Sequence, residues 1–506
     1  MLLCGVLTAM PYIFDFLFFL PYFTLAPLFI FAIKKDNPYR HGLSFSLGYF
    51  AVVYHWFCYL YPLDFAGING IGSIAVIITA IVGMSLLQGV GTAFVPLVFR
   101  YLTKDRHVLF APFAAASLWI VSEWGQNFFW FGVPWARLAV GQHKILPIVE
   151  SASVWGSLGV SFTIVLISGF FAIAYIHKNE IRRMRIYALI GASVFICNFL
   201  LGVALLNIKN EPKASFPVAA IQGNISSAEK WSSTSVYNSI SVYEELTKEA
   251  VSKSGAKLVL FPETVLICDL SYERSLINRL KMLAKDTGAY IAVGAFYSEG
   301  DDTYNSIYLF TPSGELFDTV YSKCHLVPFG EYLPMPTVMN TFFPHLTEMN
   351  MFKDSLSAGK GTNIFETELG MIGSLICFDS IYESMTLSNV RDGAEIIILS
   401  TNDSWYKDSA AVYQHNGHAV LRAIESGRYV VRAANTGVSS VITDKGQVVS
   451  LLGPLKKGYV TADVNTYTQN TVYTYVGNAV VYFSILYLNF LFVYKFIKKE
   501  KNPLKN

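Results

Sequence analysis

The chain has 506 residues, 53% of them hydrophobic and only 15% charged, with a mean hydropathy of +0.41. Soluble domains carry nearer ~25% charged residues, so this composition excludes an ordinary soluble protein and indicates one that lives in a bilayer. The formal net charge of +2 is close to balanced and argues against nucleic acid as a partner.

Taken in chain order, long uncharged runs crowd the first 206 residues and a further one follows Gly477. Runs near the ~20 residues that cross a hydrocarbon core lie at 42–62, 71–99, 108–124, 157–176, 186–206 and 477–497. The first 33 residues are apolar except for Asp15 and are interrupted by Pro11, Pro21 and Pro27, as a compressed hairpin or one tilted span would be. The expected organisation is a transmembrane helix bundle of about seven spans over 1–206, a domain at 207–476, and a last span with a basic tail at 477–506. A short apolar core followed by a small-residue cleavage site is not legible at the start, so a removable signal peptide is not expected.

Four short loops carry the positive charge: Lys34, Lys35 and Arg40; Arg100, Lys104 and Arg106; Lys178, Arg182, Arg183 and Arg185; and Lys498, Lys499, Lys501 and Lys505. With these spans all four fall on one side, which the positive-inside rule makes cytoplasmic. The parity then puts 125–156 and the 207–476 domain on the outer face.

That domain reads as an α/β fold. Short, nearly continuous apolar runs at 216–221, 257–264, 290–296, 306–310, 371–378, 395–403 and 428–437 alternate with helical stretches at 235–252, 271–287 and 411–427. Such strands belong to a sheet covered on both faces. Reactive groups in these folds collect at strand C-terminal ends, where Glu263, Cys377 and Asp403 sit. Cysteine usage adds a second pointer. Cys4, Cys58 and Cys197 fall in apolar spans, whereas Cys268, Cys324 and Cys377 share the outer domain, an odd number in a compartment that pairs cysteines. On pattern alone Cys377 is either a nucleophile or a small buried hydrophobe. His415 and His418 come without a metal-ligand motif, and neither a metal nor another cofactor is expected.

The order of three motifs narrows the choice. "FPET" (261–264), "YSKCHLVPFGEYLP" (321–334) and "LICFDS" (375–380) place Glu263, Lys323 and Cys377 60 and then 54 residues apart. This resembles the Glu–Lys–Cys signature of the nitrilase, or carbon–nitrogen hydrolase, superfamily. "QGNI" with "KW" (222–231), "TNDSWY" (401–406), "RAIESGRYVVRAANTG" (422–437), "WIVSEW" (119–124) and "FGVPW" (131–135) are further similar to the apolipoprotein N-acyltransferase family. The resemblance implies a membrane helix bundle joined to an outward-facing, nitrilase-like α-β-β-α sandwich in the bacterial inner membrane, with the catalytic domain on the periplasmic face. It also implies an acyltransferase in which Cys377 is the nucleophile, Glu263 the general base and Lys323 the oxyanion partner, a division that suits those residue types. Glu331, Asp379, Trp231, Trp405 and Glu425 fall on family positions that support the site. Arg422, Arg428 and Arg432 read as structural pairs.

The implied partners are a phospholipid acyl donor, with phosphatidylethanolamine the one most suggested, diacylglyceryl apolipoproteins and the bilayer itself. The rival readings are a membrane-anchored amidase using water as acceptor and a transporter with an appended domain. The Met- and Phe-rich stretch 335–352 is expected to act as an arm that dips into the lipid interface. One departure stands out: the family commonly has Cys-Tyr-Glu where this chain has Cys377-Phe378-Asp379. Any hydrogen bond made by that tyrosine hydroxyl must be absent here or come from another group.

Overall fold

The computed structural model describes residues 1–63, 68, 70–103, 110–128, 132–226, 235–342 and 355–500. Two compact units emerge. The first comprises Met1–Cys58, Ile74–Ile208 and Tyr475–Asn506; the second comprises Tyr59–Ser73 and Lys209–Thr474.

The first unit is helical. Among the described residues four helices are long and apolar enough to cross a membrane: Gly70–Thr103, Ala152–Ile176, Ile181–Asn207 and Ala479–Ile497. Three of them lie within 1–206, where about seven spans were expected, and the fourth is the expected C-terminal span. The run at 42–62 forms a 16-residue helix, Pro38–Val53, followed by a 3-10 segment, and Ala111–Gly125 has 15 residues. At 1.5 Å per residue neither reaches ~30 Å. The prolines divide the first 34 residues into short pieces, of which Leu2–Tyr12 and Pro21–Lys34 are the apolar ones. Charges buried in this unit have partners. Glu123 accepts from Trp119 Nε1 at 2.8 Å and Leu138 N at 3.0 Å, and Arg137 donates to Asn127 Oδ1 at 2.6 Å.

The second unit is a sandwich of two mixed sheets. Strands Ala214–Gln222 (β1), Leu258–Leu260 (β2), Leu266–Asp269 (β3), Tyr290–Glu299 (β4), Asp302–Phe310 (β5) and Tyr321–Ser322 (β6) build the first. Phe365–Thr367 (β7), Gly370–Ile376 (β8), Ile396–Thr401 (β9), Val430–Ala434 (β10), Ser439–Ile442 (β11) and Val448–Leu452 (β12) build the second, and Gly458–Thr466 (β13) returns to the first. The orders are β13-β1-β2-β4-β5-β6, with β3 beside β4, and β12-β11-β10-β9-β8-β7. The centres are parallel: β1 with β2, β2 with β4, β8 with β9 and β9 with β10. Their apolar runs follow from burial on both faces.

One face of each sheet forms a shared core of Val218, Leu260, Ile307, Ile372, Ile398 and Val431 among others. Helices Ser235–Ser254 and Arg274–Thr287 cover the opposite face of the first sheet; Leu276, Leu280, Leu283 and Ala284 make the buried stripe of the latter. Glu383–Arg391 and Ala410–Ser426 are the helices of the second half. The result is the α-β-β-α sandwich expected from the sequence. Of the suggested arm, Pro336–Phe342 is helical, with Met335 and Val338 exposed, while 343–352 lies outside the described residues.

One close approach ties this fold to the loop after β2. A Cβ on Gly294 of β4 would stand 2.7 Å from Thr264 N and 2.9 Å from Glu263 Cα. Gly294→Ala must therefore push that backbone away, at ~1–3 kcal/mol by analogy with overpacked cores. The expected result is a lower thermal midpoint of the detergent-purified chain; an unchanged midpoint would show that the loop yields freely.

Candidate active site

Three strand ends meet in the second unit. Glu263 follows β2, Lys323 follows β6 and Cys377 follows β8, and all three side chains are buried, with 5%, 1% and 7% exposure. The backbone fixes each. Phe261 N donates to Ala292 O at 2.9 Å, and Lys323 N to Asn305 O at 2.8 Å. Lys323 O accepts from Gly359 N at 2.7 Å. Ser400 Oγ of β9 donates to Phe261 O at 2.9 Å and so ties the two sheets together beside Glu263. Thr264 and Cys377 have φ of +45° and +48°. A left-handed conformation costs a residue with a Cβ ~1–2 kcal/mol, so neighbouring contacts must hold the turn at the thiol.

The polar groups form one array. Lys323 Nζ donates to Glu263 Oε1 at 2.8 Å and to Glu331 Oε1 at 2.9 Å. Asn305 Nδ2 donates to the same two carboxylates at 2.7 and 2.9 Å. Asn402 N donates to Glu263 Oε2 at 2.8 Å, and Val327 N anchors Glu331 Oε2 at 2.8 Å. Burial alone would lower the lysine's proton affinity. The two carboxylates and the neighbouring thiol outweigh it, so Lys323 stays charged well above the ordinary range. The Cys377 thiol is pushed far up, first by burial and then by Glu263, with Lys323 and a hydrogen bond involving Thr401 pulling the other way. At rest the site therefore holds a thiol, an ammonium and carboxylates poised around them.

The supporting residues separate into distinct roles. Glu331 joins the lysine directly. Asp379 is wholly buried and accepts from Tyr321 OH at 2.8 Å, Ile376 N at 3.1 Å, Cys324 N at 3.2 Å and His325 N at 2.8 Å. It thereby fastens the chain around Lys323 to the turn at Cys377. Trp405 is 41% exposed. Glu425 pairs with Arg422 at 2.9 Å within one helix. Trp231 lies outside the described residues.

Asn305 and Tyr406 were not singled out from the sequence. Asn305 bridges both carboxylates from mid-strand β5, and an Asn within a strand carries no periodic signal. Tyr406 lies within electrostatic reach of Cys377, Asp403, Lys323 and Glu263, and its phenol is held well above the ordinary value by burial and then by Cys377. Phe378 packs edge-on to Tyr382. Arg432 pairs with Asp403 at 2.8 Å as a structural arginine would, but next to the thiol.

Cys377, Asp403 and His415 also bring Sγ, a carboxylate oxygen and a ring nitrogen within 4.8 Å of one another, a spacing that could hold a metal. The donor set argues against it. Asp403 Oδ1 is engaged by His415 Nδ1 at 2.9 Å and by Thr401 Oγ1 at 3.2 Å, while Oδ2 faces the Arg432 guanidinium. A cation there would displace one already present. All six cysteines, Cys268 and Cys324 included, are free thiols.

The electrostatics make a two-part prediction for Glu263→Gln. Removing a negative neighbour eases ionisation of Cys377, so its alkylation by iodoacetamide should rise at lower pH than in the unaltered chain. If Glu263 is the base, the same variant should lose acyl transfer by ~100-fold or more. A profile that stays in place, or moves to higher pH, would contradict the electrostatic account.

Comparison with known proteins places the chain. Residues 217–473 match the carbon-nitrogen hydrolase family, and residues 4–170 match the apolipoprotein N-acyltransferase N-terminal domain. The apolipoprotein N-acyltransferase of Geobacter metallireducens is 28% identical over 488 residues, covering 94% of this chain and 91% of that protein. The Haemophilus ducreyi apolipoprotein N-acyltransferase is 27% identical over 461 residues, covering 89% and 86%. An amidase from Nesterenkonia sp. superposes with a TM-score of 0.41 at 16% identity, over 54% of this chain and 97% of its own. The chain belongs to the carbon–nitrogen hydrolase family and is similar along nearly its whole length to apolipoprotein N-acyltransferases.

Proposed function

We propose that this chain transfers an acyl chain from a phospholipid to the α-amine of an N-terminal diacylglyceryl-cysteine, by two displacements through a thioester on Cys377. The observation that carries this reading is the Glu263–Lys323–Glu331 array beside the Cys377 thiol, together with four helices among the described residues that are long and apolar enough to cross a membrane.

In the first displacement Sγ attacks the carbonyl carbon of the sn-1 ester, and Glu263 takes the thiol proton. Charge develops on the carbonyl oxygen, and the permanently protonated Lys323 stabilises it. Collapse breaks the bond to the sn-1 oxygen, which receives the proton from Glu263 and leaves as a lysophospholipid. In the second displacement the lipoprotein amine attacks the thioester and gives a proton to Glu263. The C–S bond breaks, and that proton returns to the sulfur. The raised thiol explains why a base is needed: few thiolates form without one. Glu331 and Asn305 hold the lysine and the base in register, and phosphatidylethanolamine is the proposed donor.

The setting suits the chemistry. Extracting an acyl chain from a bilayer costs ~0.8 kcal/mol per CH₂, and an enzyme at the membrane surface avoids it. The four basic loops favour a multi-pass arrangement in the bacterial inner membrane with the catalytic unit on the periplasmic face.

Steady-state kinetics with labelled phosphatidylethanolamine and a diacylglyceryl-cysteine peptide test this reading. Parallel double-reciprocal lines are expected, with activity abolished in Cys377→Ser and kept in Phe378→Tyr. Release of free fatty acid, or turnover of a small amide with none of the lipid, would instead identify a hydrolase.

A further inference from the structure

The turn that presents Cys377 is gripped from behind. Its carbonyl accepts from Ser380 Oγ at 2.7 Å, and His415 Nε2 lies 3.1 Å from that carbonyl and 3.0 Å from the same hydroxyl. A backbone carbonyl only accepts, so a hydrogen bond from His415 to it requires an Nε2–H. On its other side the ring meets Asp403 at 2.9 Å through Nδ1. Asp403 is locked in turn by Arg432 Nη2 at 2.8 Å, and Arg432 also donates to Val438 O. His415, Asp403 and Arg432 are each at most 1% exposed in their side chains. Room for the carboxylate comes from Gly437, where a Cβ would stand 2.7 Å from Asp403 Cγ. Tyr406 closes the assembly edge-on to the imidazole, 6.4 Å between ring centres.

The chemistry at Glu263 and Lys323 makes no use of this chain. Both ring nitrogens of His415 are engaged, so the imidazole is not placed as a rival base, although it lies within 4.8 Å of the thiol. What it touches is the carbonyl of the one residue whose left-handed backbone sets the direction of Sγ. We infer that His415 is a positioning residue: oriented by Asp403 and Arg432, it holds the Cys377 carbonyl and thereby keeps the thiol aimed at the Glu263–Lys323 array. This rests on the reading of Cys377 as nucleophile and adds a second layer behind it. The sequence placed Asp403 at a strand end and His415 in a helical stretch, without showing that they meet.

The test compares two variants of the full-length chain in detergent. His415→Gln places an amide N–H where Nε2 stood, while His415→Asn is too short to reach the carbonyl and keeps only the side facing Asp403. Two rates are read: alkylation of Cys377 by iodoacetamide, followed by peptide mass spectrometry, and single-turnover acylation by phosphatidylethanolamine. His415→Asn should slow both by roughly 10-fold or more, about the effect of one hydrogen bond lost at a reacting centre, with the KM for phospholipid unchanged. His415→Gln should recover most of both rates. Unchanged rates in His415→Asn would overturn the inference. So would equal losses in both variants accompanied by equal falls in thermal midpoint, which mark a purely structural histidine. If the unaltered chain takes up no acyl group but the alkylation rates follow the expected order, the positioning role stands and the proposed reaction falls.

Discussion

A single ammonium group organises this site. Lys323 is almost wholly buried, and such a charge is tolerated only when paired and hydrogen-bonded. Glu263 and Glu331 supply that pairing, with Asn305 bridging the two carboxylates. The requirement explains much of the local structure. It brings the ends of β2 and β6 together, fixes the loop from Val327 to Glu331 and places a strand-interior asparagine where both acids need a donor. One buried and one partly buried carboxylate flank the single cation. Burial first, and then the charges of Glu263 and Asp403, keep Cys377 protonated against the pull of Lys323. Removing the lysine would strand two acids in a dry site, and breaking such a pair typically costs ~3–5 kcal/mol.

A protonated, buried thiol has a further consequence. Oxidation and adventitious alkylation both follow thiolate character and exposure, so a cysteine proposed to face an oxidising compartment is protected at rest. On the proposed mechanism, reactivity is released only when a substrate carbonyl arrives and Glu263 can take the proton. Geometry supports the same division of labour. Asp379 fastens the Lys323 segment to the nucleophile turn, and His415, Asp403 and Arg432 back that turn from the helix and strand behind it. The residue after the nucleophile, Phe378, offers no hydroxyl, whereas Tyr406 brings one into electrostatic reach of the same thiol.

Much of this was legible in the sequence, and the rest has physical reasons for being hidden. The central strands announced themselves as unbroken apolar runs because both of their faces are covered; β9, with six buried residues in "IIILST", is the clearest. The edge elements β6, β7 and β12 are short or half-exposed and carry no such signal. Apolar composition likewise does not reveal that helices start at Pro21 and Pro38 or that a 3-10 segment begins at His55. Glu263, Lys323 and Cys377 were readable as a spaced motif. Asn305, His415 and Arg432 were not, since what makes them part of the site is a meeting of strands and a helix far apart in the chain. Glu425, expected on a supporting position, pairs with Arg422.

The central claim is that Cys377 carries the acyl group between two lipids. The most direct measurement is a single turnover of the full-length chain with phosphatidylethanolamine labelled in its sn-1 chain, without any amine acceptor. The account predicts one labelled acyl group per chain, held as a hydroxylamine-sensitive thioester on Cys377 and matched by an equal amount of lysophospholipid. Label appearing only as free fatty acid, or retained after Cys377→Ala, would contradict it.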